Sequence, residues 1–396
     1  MFNIFPLKNG LQNVKGFFCG GVNAGMKPNL KNDLGFIRSN ELCEVSAVFT
    51  KNRFKAAPIY HFLNYKKNFK TNFILLNSKN ANAMTGKKGV KDIDRIFSTL
   101  KKKLPSLHNP IMSSTGVIGY RLHVDKICKA FDKFDFNLTN SNETAYSIMT
   151  TDSFKKELCL KVELENGDFF HIAAIAKGAG MINPAMATML CFILTDANIE
   201  KTDMDKLLKS STKQSFNTIS VDGDTSTNDT VMLISSGKSG AYDKIAFSEA
   251  LNCITKHISQ EILRDGEGSS KVVAFEVKNA LNIKEAKKAS KALSNSLLVK
   301  TALFGEDPNW GRIASTIGAS KVTCKEKNLV ISYDNIVVYS KQKEIFNKER
   351  EEKAFKVMKQ DSFRVTCNLN AGESSYTSYG CDLGYEYVKI NADYRT

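Results

Sequence analysis

The chain has 396 residues, of which 42% are hydrophobic and 24% charged, proportions typical of a folded globular protein and unlike those of a disordered one. This length can bury a large core and suffices for one big domain or two lobes. No apolar run approaches the length of a membrane span, and the first residues lack the basic leader and apolar core of an export signal.

The net charge of +15 raises the alternative of a nucleic-acid-binding protein, because basic surfaces commonly neutralise phosphates. Only nine of the 56 basic residues are Arg, however, and the lysines are spread along mixed-charge segments such as 341–359. Phosphate and base recognition relies on clustered Arg, so a solvated Lys-rich surface is favoured. Nine cysteines without a CxxC pair indicate reduced thiols and a cytoplasmic location.

Short strands and an amphipathic helix are predicted early in the chain. Segments 45–49 and 73–77 are typical of strands, and 56–60 is predicted to be an edge strand because it contains Pro58. Apolar residues recur at helical spacing over 90–104 and stop before Pro105. Helices are also predicted over 124–131 and 143–149, and a hairpin joins strands 157–163 and 169–175 around Asn166-Gly167.

The sequence Ser-Ser-Thr-Gly at 113–116 predicts a turn whose backbone N–H groups could point at an oxyanion, since glycine permits close approach. A tight turn between two strands is the plain alternative. The motif Met-Thr-Thr-Asp at 149–152 ends a predicted helix, where hydroxyl groups usually bond to the local backbone.

The most informative stretch is 177–197, KGAGMINPAMATMLCFILTDA. Its first half predicts a loop, because glycines allow tight turns and Pro184 forbids a helix. Its second half, 189–194, predicts a strand buried on both faces. Thr188 lies at the junction, where its hydroxyl could attack the preceding peptide bond and expose a new N-terminal nucleophile with its own amine as base. A simple junction between loop and strand is the alternative.

Beyond this stretch, Thr202 to Asp205 predict a capping box that opens a helix, and segment 220–230 carries three aspartates. The spacing from Asp222 fails the calcium-loop pattern, which has Gly at its sixth position and Glu at its twelfth, so no metal site is expected. Another helix over 250–262 leads into Asp-Gly-Glu-Gly at 265–268. A smaller lobe is predicted from residue 282 onwards. It would contain an alanine-rich helix, strands 329–332 and 336–339, a charged helix to 359 and strand 362–368.

Several of these blocks, in this order, resemble the ornithine acetyltransferase family, the glutamate N-acetyltransferases of arginine biosynthesis. The stretch KGAGM…PAMATML is similar to the site at which that family is cut between Ala and Thr. The blocks STGVIG, MTTD, VDGDTSTNDT, DGEG, DPNWGR and the tail GCDLGYEYVKINADYRT resemble its other signatures. One departure is Lys79, where the family tends to have glycine.

The resemblance implies a site. Cleavage would fall between Ala187 and Thr188, with Thr188 as the nucleophile and Thr115 and Gly116 as the oxyanion hole. The substrate contacts that it implies are Thr151, Lys177, Thr188, Glu267, Asn391 and Thr396.

The resemblance also implies an α/β (α+β) fold. Its core would be a layered αββα sandwich resembling N-terminal-nucleophile enzymes, with a main domain over 1–281 and a smaller mixed α/β lobe over 282–396. Cleavage would give fragments 1–187 and 188–396, and two copies of each would form a heterotetramer.

The implied reaction transfers acetyl from N2-acetylornithine to L-glutamate through an acetyl-threonine, without cofactor or metal. Acetyl-CoA could be a second donor, although no CoA motif is visible. The five histidines occur in none of the common catalytic motifs, which favours a mechanism without histidine. The alternative enzyme is an N-terminal-nucleophile aminopeptidase or amidase with water as acceptor. The partners expected are small molecules, with neither nucleic acid nor membrane.

Overall fold

A computed structural model describes residues 1–27, 31–183, 189–341 and 347–393. Within these ranges the strands are β1 (Phe2–Leu7), β2 (Phe17–Val22), β3 (Leu34–Phe49), β4 (Lys70–Asn77), β5 (Ile111–Ser114), β6 (Lys156–Leu164), β7 (Phe169–Lys177), β8 (Leu190–Thr195), β9 (Ile219–Ser220), β10 (Thr230–Ser235), β11 (Val272–Ala280), β12 (Val330–Tyr333), β13 (Ile336–Ser340), β14 (Ser362–Asn368) and β15 (Ser374–Cys381).

The α-helices in the same ranges are α1 (Ala57–Leu63), α2 (Gly86–Lys103), α3 (Val124–Ala130), α4 (Ser141–Ile148), α5 (Lys201–Gln214), α6 (Lys244–Arg264), α7 (Ile283–Asn295), α8 (Leu297–Phe304), α9 (Trp310–Ala319), α10 (Lys348–Met358) and α11 (Tyr385–Asp393). None of these described helices is long and apolar enough to pass through a membrane.

The first of two sheets has β8 at its centre. Its strand order is β1-β6-β7-β8-β10-β3-β4-β5, and β2 pairs with β3. β8 is antiparallel to β7 and parallel to β10. Every residue of β8 is buried, so the strand predicted from the apolar run at 189–194 is confirmed, shifted by one residue.

The first sheet has a hydrophobic core on each face. Successive side chains of a strand point to opposite faces. In β8, Cys191 and Ile193 accordingly belong to a core shared with α5 and α6, whereas Phe192 and Leu194 belong to another core that includes Ile148 of α4. The sheet is therefore covered on both sides, and the ends of its strands are the places where polar groups can be offered to a ligand.

The second sheet has the order β13-β12-β14-β11-β15-β9. Its apolar face packs against helices α7, α8, α9 and α10. Two mixed sheets with helices packed against them confirm the predicted α/β (α+β) class. The predicted boundary between residues 281 and 282 directly follows β11, and it stays a prediction, as do the two fragments.

Two local predictions were wrong. Segment 56–60 is not an edge strand, because Pro58 occupies the first turn of α1, where its missing N–H costs no hydrogen bond. The capping box at Thr202 to Asp205 does not form, since α5 begins at Lys201 after Glu200 and has no side-chain cap. The predicted hairpin is confirmed, because β6 and β7 pair antiparallel across the turn at Asn166-Gly167.

The burial of β8 leads to a stability prediction. Phe192 is 0% exposed, whereas Phe54 is 65% exposed. Phe192→Ala should lower the free energy of unfolding by about 3 to 5 kcal/mol, because it removes apolar contacts and leaves a cavity. Phe54→Ala should change it by less than about 0.5 kcal/mol. Chemical denaturation of both variants measures the difference, and equal losses would contradict the assignment of Phe192 to the core.

Candidate active site

One cleft receives all the predicted site residues that the structure describes. Its walls include the six residues Thr115, Gly116, Thr151, Lys177, Glu267 and Asn391. They come from five separate stretches of the chain, and the cleft brings them together where β5 and β7 end. The other three predicted residues, Ala187, Thr188 and Thr396, lie outside the described residues. The roles of all nine stay predictions.

The turn at Thr115 and Gly116 follows β5 and differs from the prediction. Residues 113 and 114 belong to the strand, and the backbone N–H of Thr115 donates to the carbonyl of Asn77 at 3.0 Å. Of these two residues, Gly116 is the one whose backbone N–H has no hydrogen bond within the described part of the chain. Thr115 therefore offers its hydroxyl to the cleft, and Gly116 offers its amide.

Glycine is required at 116 for two reasons. Its φ of 127° is strained for other residues, and a Cβ atom there would overlap the carbonyl group of Lys79. Lys79 itself has a φ of 76°, in the left-handed region that favours glycine. The loop keeps this conformation with lysine, and the carbonyl of Lys79 accepts from the N–H of Val117 at 3.0 Å.

Lys177 is the buried cation of the cleft. It ends β7, is 3% exposed, and donates from Nζ to the hydroxyl of Thr150 at 2.9 Å. Burial lowers the pKa of Lys177, and the nearby carboxylates of Asp152 and Glu267 oppose that shift. A lysine in this setting can hold a substrate carboxylate at low cost, because it is already partly desolvated.

Beneath Lys177 lies a buried ionic network that the sequence analysis missed. Nζ of Lys156, in β6, lies 2.8 Å from Asp152 and 2.5 Å from Asp265, and all three side chains are at most 2% exposed. Asp152 also accepts from the backbone N–H groups of Thr150 and Gly178 at 2.9 and 2.7 Å. The two aspartates belong to the MTTD and DGEG blocks, but nothing in the sequence marks Lys156 as their partner.

Glu267 is the acidic group of the same cleft, and Asn391 holds it. Nδ2 of Asn391, on α11, donates to the Glu267 carboxylate at 2.7 Å. Glu267 is 8% exposed, and its backbone N–H donates to the carbonyl of Ala179 at 3.0 Å. A Cβ atom at Gly180 would overlap the Glu267 carboxylate, so glycine is required there for the close approach.

Asp222 orders the loop that follows Gly180. Its carboxylate accepts from the backbone N–H groups of Met181, Ile182 and Asp224 at 2.6, 2.9 and 3.2 Å. Burial raises the pKa of Asp222 in spite of these bonds. The aspartate-rich segment 220–230 thus positions the backbone of the cleft through hydrogen bonds. In the four described ranges no three His, Cys, Asp or Glu side chains are grouped so as to hold a metal ion.

Comparison with known proteins identifies the family. The sequence profile of the ArgJ family matches residues 18–396. The chain belongs to the ArgJ family. It is 53% identical, over 100% of both chains, to a Wolinella succinogenes protein named "Arginine biosynthesis bifunctional protein ArgJ". It is 40% identical to the protein of that name from Caldanaerobacter subterraneus, over 96% of this chain and 97% of that one.

A solved ArgJ-family structure covers part of the chain. The crystal structure of the Bacillus halodurans arginine biosynthesis bifunctional protein aligns with 51% of this chain and 98% of its own, at 37% identity and a TM-score of 0.48. The family assignment rests on the sequence matches.

The contact between Gly180 and Glu267 predicts a binding defect. Gly180→Ala should displace the Glu267 carboxylate, because the flexible side chain moves more easily than the backbone. We expect the KM for an ammonium-bearing substrate to rise by about tenfold, the cost of one weakened charged hydrogen bond, with little change in thermal stability. Steady-state kinetics measures this. Gly318→Ala is the control, since no atom lies within 4 Å of its Cβ position, and an unchanged KM for Gly180→Ala would contradict the prediction.

The ionic network predicts an acid-sensitive contribution to stability. Burial alone would raise the pKa of Asp152, but the positive charges of Lys177 and Lys156 outweigh it and lower the pKa from 3.8 to about 2. Because the folded-state pKa is depressed, this contribution is complete above about pH 4 and is lost as the pH falls towards 2. Its size is about 2 kcal/mol.

The test compares the free energy of unfolding of Asp152→Asn with that of the unmodified chain at pH 6 and pH 3. The destabilisation caused by the substitution should be smaller at pH 3. The control is Asp125→Asn on α3, whose side chain is 88% exposed and should show no such difference. A destabilisation by Asp152→Asn that is independent of pH would show that Asp152 is not held as a carboxylate.

Proposed function

We propose that this chain is a glutamate N-acetyltransferase that transfers an acetyl group from N2-acetylornithine to L-glutamate in arginine biosynthesis. The supporting observation is the convergence of Thr115, Gly116, Thr151, Lys177, Glu267 and Asn391 on one cleft. Membership of the ArgJ family, whose relatives are named for arginine biosynthesis, points to the same reaction.

The charges of the cleft suit this pair of substrates. N2-acetylornithine carries a carboxylate and an ammonium group, and the cleft provides Lys177 for the first and Glu267 for the second. Asn391 keeps one donor on Glu267, which holds the carboxylate in place while leaving its other oxygen available. Glutamate carries two carboxylates, for which Lys177 and the hydroxyl of Thr151 are the suitable partners.

The first step in this proposal is self-cleavage. The hydroxyl of Thr188 attacks the carbonyl carbon of Ala187, and the peptide C–N bond breaks. The proton of the hydroxyl goes to the leaving nitrogen, which becomes the α-amine of Thr188. Water then hydrolyses the resulting ester, giving fragments 1–187 and 188–396. Such an α-amine has a pKa of about 8, so near neutral pH a useful fraction of it can act as a base.

Acetyl transfer follows in two steps. The Thr188 hydroxyl, deprotonated by its own amine, attacks the acetyl carbonyl of N2-acetylornithine, and ornithine leaves with that proton on its nitrogen. The α-amine of glutamate then attacks the acetyl-threonine ester, which releases N-acetylglutamate and restores the hydroxyl. In both steps the Gly116 amide and the Thr115 hydroxyl would stabilise the oxyanion, because both are donors without another partner among the described residues.

Further parts of the proposal concern the donor, the assembly and the location. The reaction as written needs no cofactor, and acetyl-CoA would be a second acetyl donor, which the word "bifunctional" in the names of the relatives supports. Two copies of each fragment would assemble as a heterotetramer. All nine cysteines are free, which supports a reducing cytoplasm as the place of action.

The decisive variant is Thr188→Ala. It should remain a single chain of full mass and lose at least about 10⁴-fold in acetyl transfer, because nucleophile and base are removed together. Intact mass spectrometry and an assay of N-acetylglutamate formation measure both effects. Thr188→Ser is the matched control and should keep some cleavage and turnover, since it retains a hydroxyl.

Three outcomes would contradict the proposal. A Thr188→Ala variant that is uncut and fully active would refute the mechanism. Release of free acetate without N-acetylglutamate would favour the aminopeptidase or amidase alternative. Nucleic-acid binding that weakens steeply with salt, in a chain without transferase activity, would revive the non-enzymatic alternative.

A further inference from the structure

Asp229 is a fully buried carboxyl group that the mechanism above does not use. It directly precedes β10 and is 0% exposed. Its Oδ1 accepts from the backbone N–H of Met189 at 3.2 Å. Its Oδ2 makes no hydrogen bond of normal geometry within the described ranges, although the side chains of Thr50 and Ser226 lie close enough to interact with the carboxyl group.

Both peptide groups of Met189 are held by the same short segment. The N–H of Met189 goes to the Asp229 side chain, and the carbonyl of Met189 accepts from the N–H of Thr230 at 3.0 Å. The carbonyl of Asp229 in turn accepts from the N–H of Thr50 at 3.0 Å, which ties the segment to the end of β3. Met189 is therefore held by hydrogen bonds on both of its peptide groups to a segment of the first sheet.

The same segment also supports the oxyanion turn. Nδ2 of Asn228, the residue before Asp229, donates to the carbonyls of Ala81 and Ser114 at 2.7 and 2.8 Å. Ser114 directly precedes Thr115. Asn228 and Asp229 thus connect the turn at Thr115 and Gly116 to Met189, the residue after position 188.

We propose that Asp229 is a positioning residue that fixes residue 188 relative to the oxyanion turn by holding the amide of Met189. The inference rests on the proposed function, because it matters only if residue 188 is the nucleophile. The amide of Met189 is formed with the carboxyl carbon of residue 188. Fixing that amide therefore restricts where the reacting hydroxyl can lie, and misplacement of a reacting group by about 1 Å can cost about 100-fold in rate.

The surroundings of Asp229 favour the neutral acid. Burial raises the pKa of Asp229 well above its usual range, and the hydrogen bond from Met189, the side chains of Thr50 and Ser226 and the positive charge of Lys177 oppose the shift without cancelling it. A neutral carboxyl group offers one acceptor oxygen, which Met189 uses, and one O–H donor on Oδ2. An asparagine side chain has nearly the same shape and offers the same acceptor together with an N–H donor.

The experiment compares Asp229→Asn with Asp229→Ala. Asp229→Asn should cleave itself and turn over within about threefold of the unmodified chain, whereas Asp229→Ala should lose about 100-fold in both the cleavage rate and kcat with a smaller change in KM. Time-resolved intact mass gives the cleavage rate, and the N-acetylglutamate assay gives kcat and KM. Asp125→Asn, at an exposed carboxyl that is not among the lining residues of the cleft, is the control for the substitution itself.

The split between kcat and KM separates positioning from a merely structural role. A folded Asp229→Ala variant should lose cleavage rate and kcat while KM changes little, and Asp229→Asn, which keeps the acceptor for Met189, should restore both rates. If Asp229→Ala fails to fold, Asp229→Asn decides alone, and a loss well beyond about threefold in the folded Asn variant overturns the inference. Equal loss in the Asn and Ala variants, or wild-type cleavage by Asp229→Ala, would also overturn it. Failure of the proposed function would appear separately, as activity in Thr188→Ala.

Discussion

The cleft depends on the buried ammonium group of Lys156. It joins Asp152, which directly follows Thr150 and Thr151, to Asp265, which begins the loop that carries Glu267. A lone buried charge is very unfavourable, so each member of the network needs the others. Because Asp152 also accepts from the amide of Gly178, next to Lys177, a single ion triad connects the stretch that carries Lys177 with the loop that carries Glu267.

Close approach of the backbone is the second constraint. At Gly116 and at Gly180 a side chain would collide with a neighbouring loop or with the Glu267 carboxylate. The two glycines act differently, however. Gly116 lies against backbone that cannot yield, whereas Gly180 lies against a flexible side chain, so the first constrains folding and the second constrains the position of the Glu267 carboxylate.

Elements with a clear local pattern could be predicted from the sequence. The β6 to β7 hairpin, the buried strand β8 and the helices α2 and α6 all follow from periodicity and turn residues. Strands β1 and β11 were missed because they pair with β6, β14 and β15, which are distant in the chain, and β2 was missed although it pairs with the next strand, β3, because its Gly-rich sequence has a weak strand pattern. Pro58 misled the prediction at α1, since proline also suits a first helical turn.

In the candidate site, too, the residues could be named from the sequence, but the contacts between distant parts of the chain could not. Its residues could be named by resemblance, and the described ones share a cleft. Lys156 and Asp265, which form an ion pair, are 109 positions apart in the chain. The backbone N–H of Thr115 donates to the carbonyl of Asn77 because of the way β5 pairs with β4, so this N–H is not available to a ligand. Neither leaves a mark in a single sequence, because both arise only when separate elements meet.

The strand order of the first sheet has a consequence for a chain that is cut before residue 188. In that sheet β8 and β10, from the later fragment, lie between β7 and β3, both from the earlier one. Strands of the two fragments then alternate within one sheet, and backbone hydrogen bonds join the fragments at two places, between β7 and β8 and between β10 and β3. The two fragments would co-elute in chromatography under native conditions and would separate only in denaturant. Neither fragment alone contains all the strands of the first sheet, so neither would refold by itself.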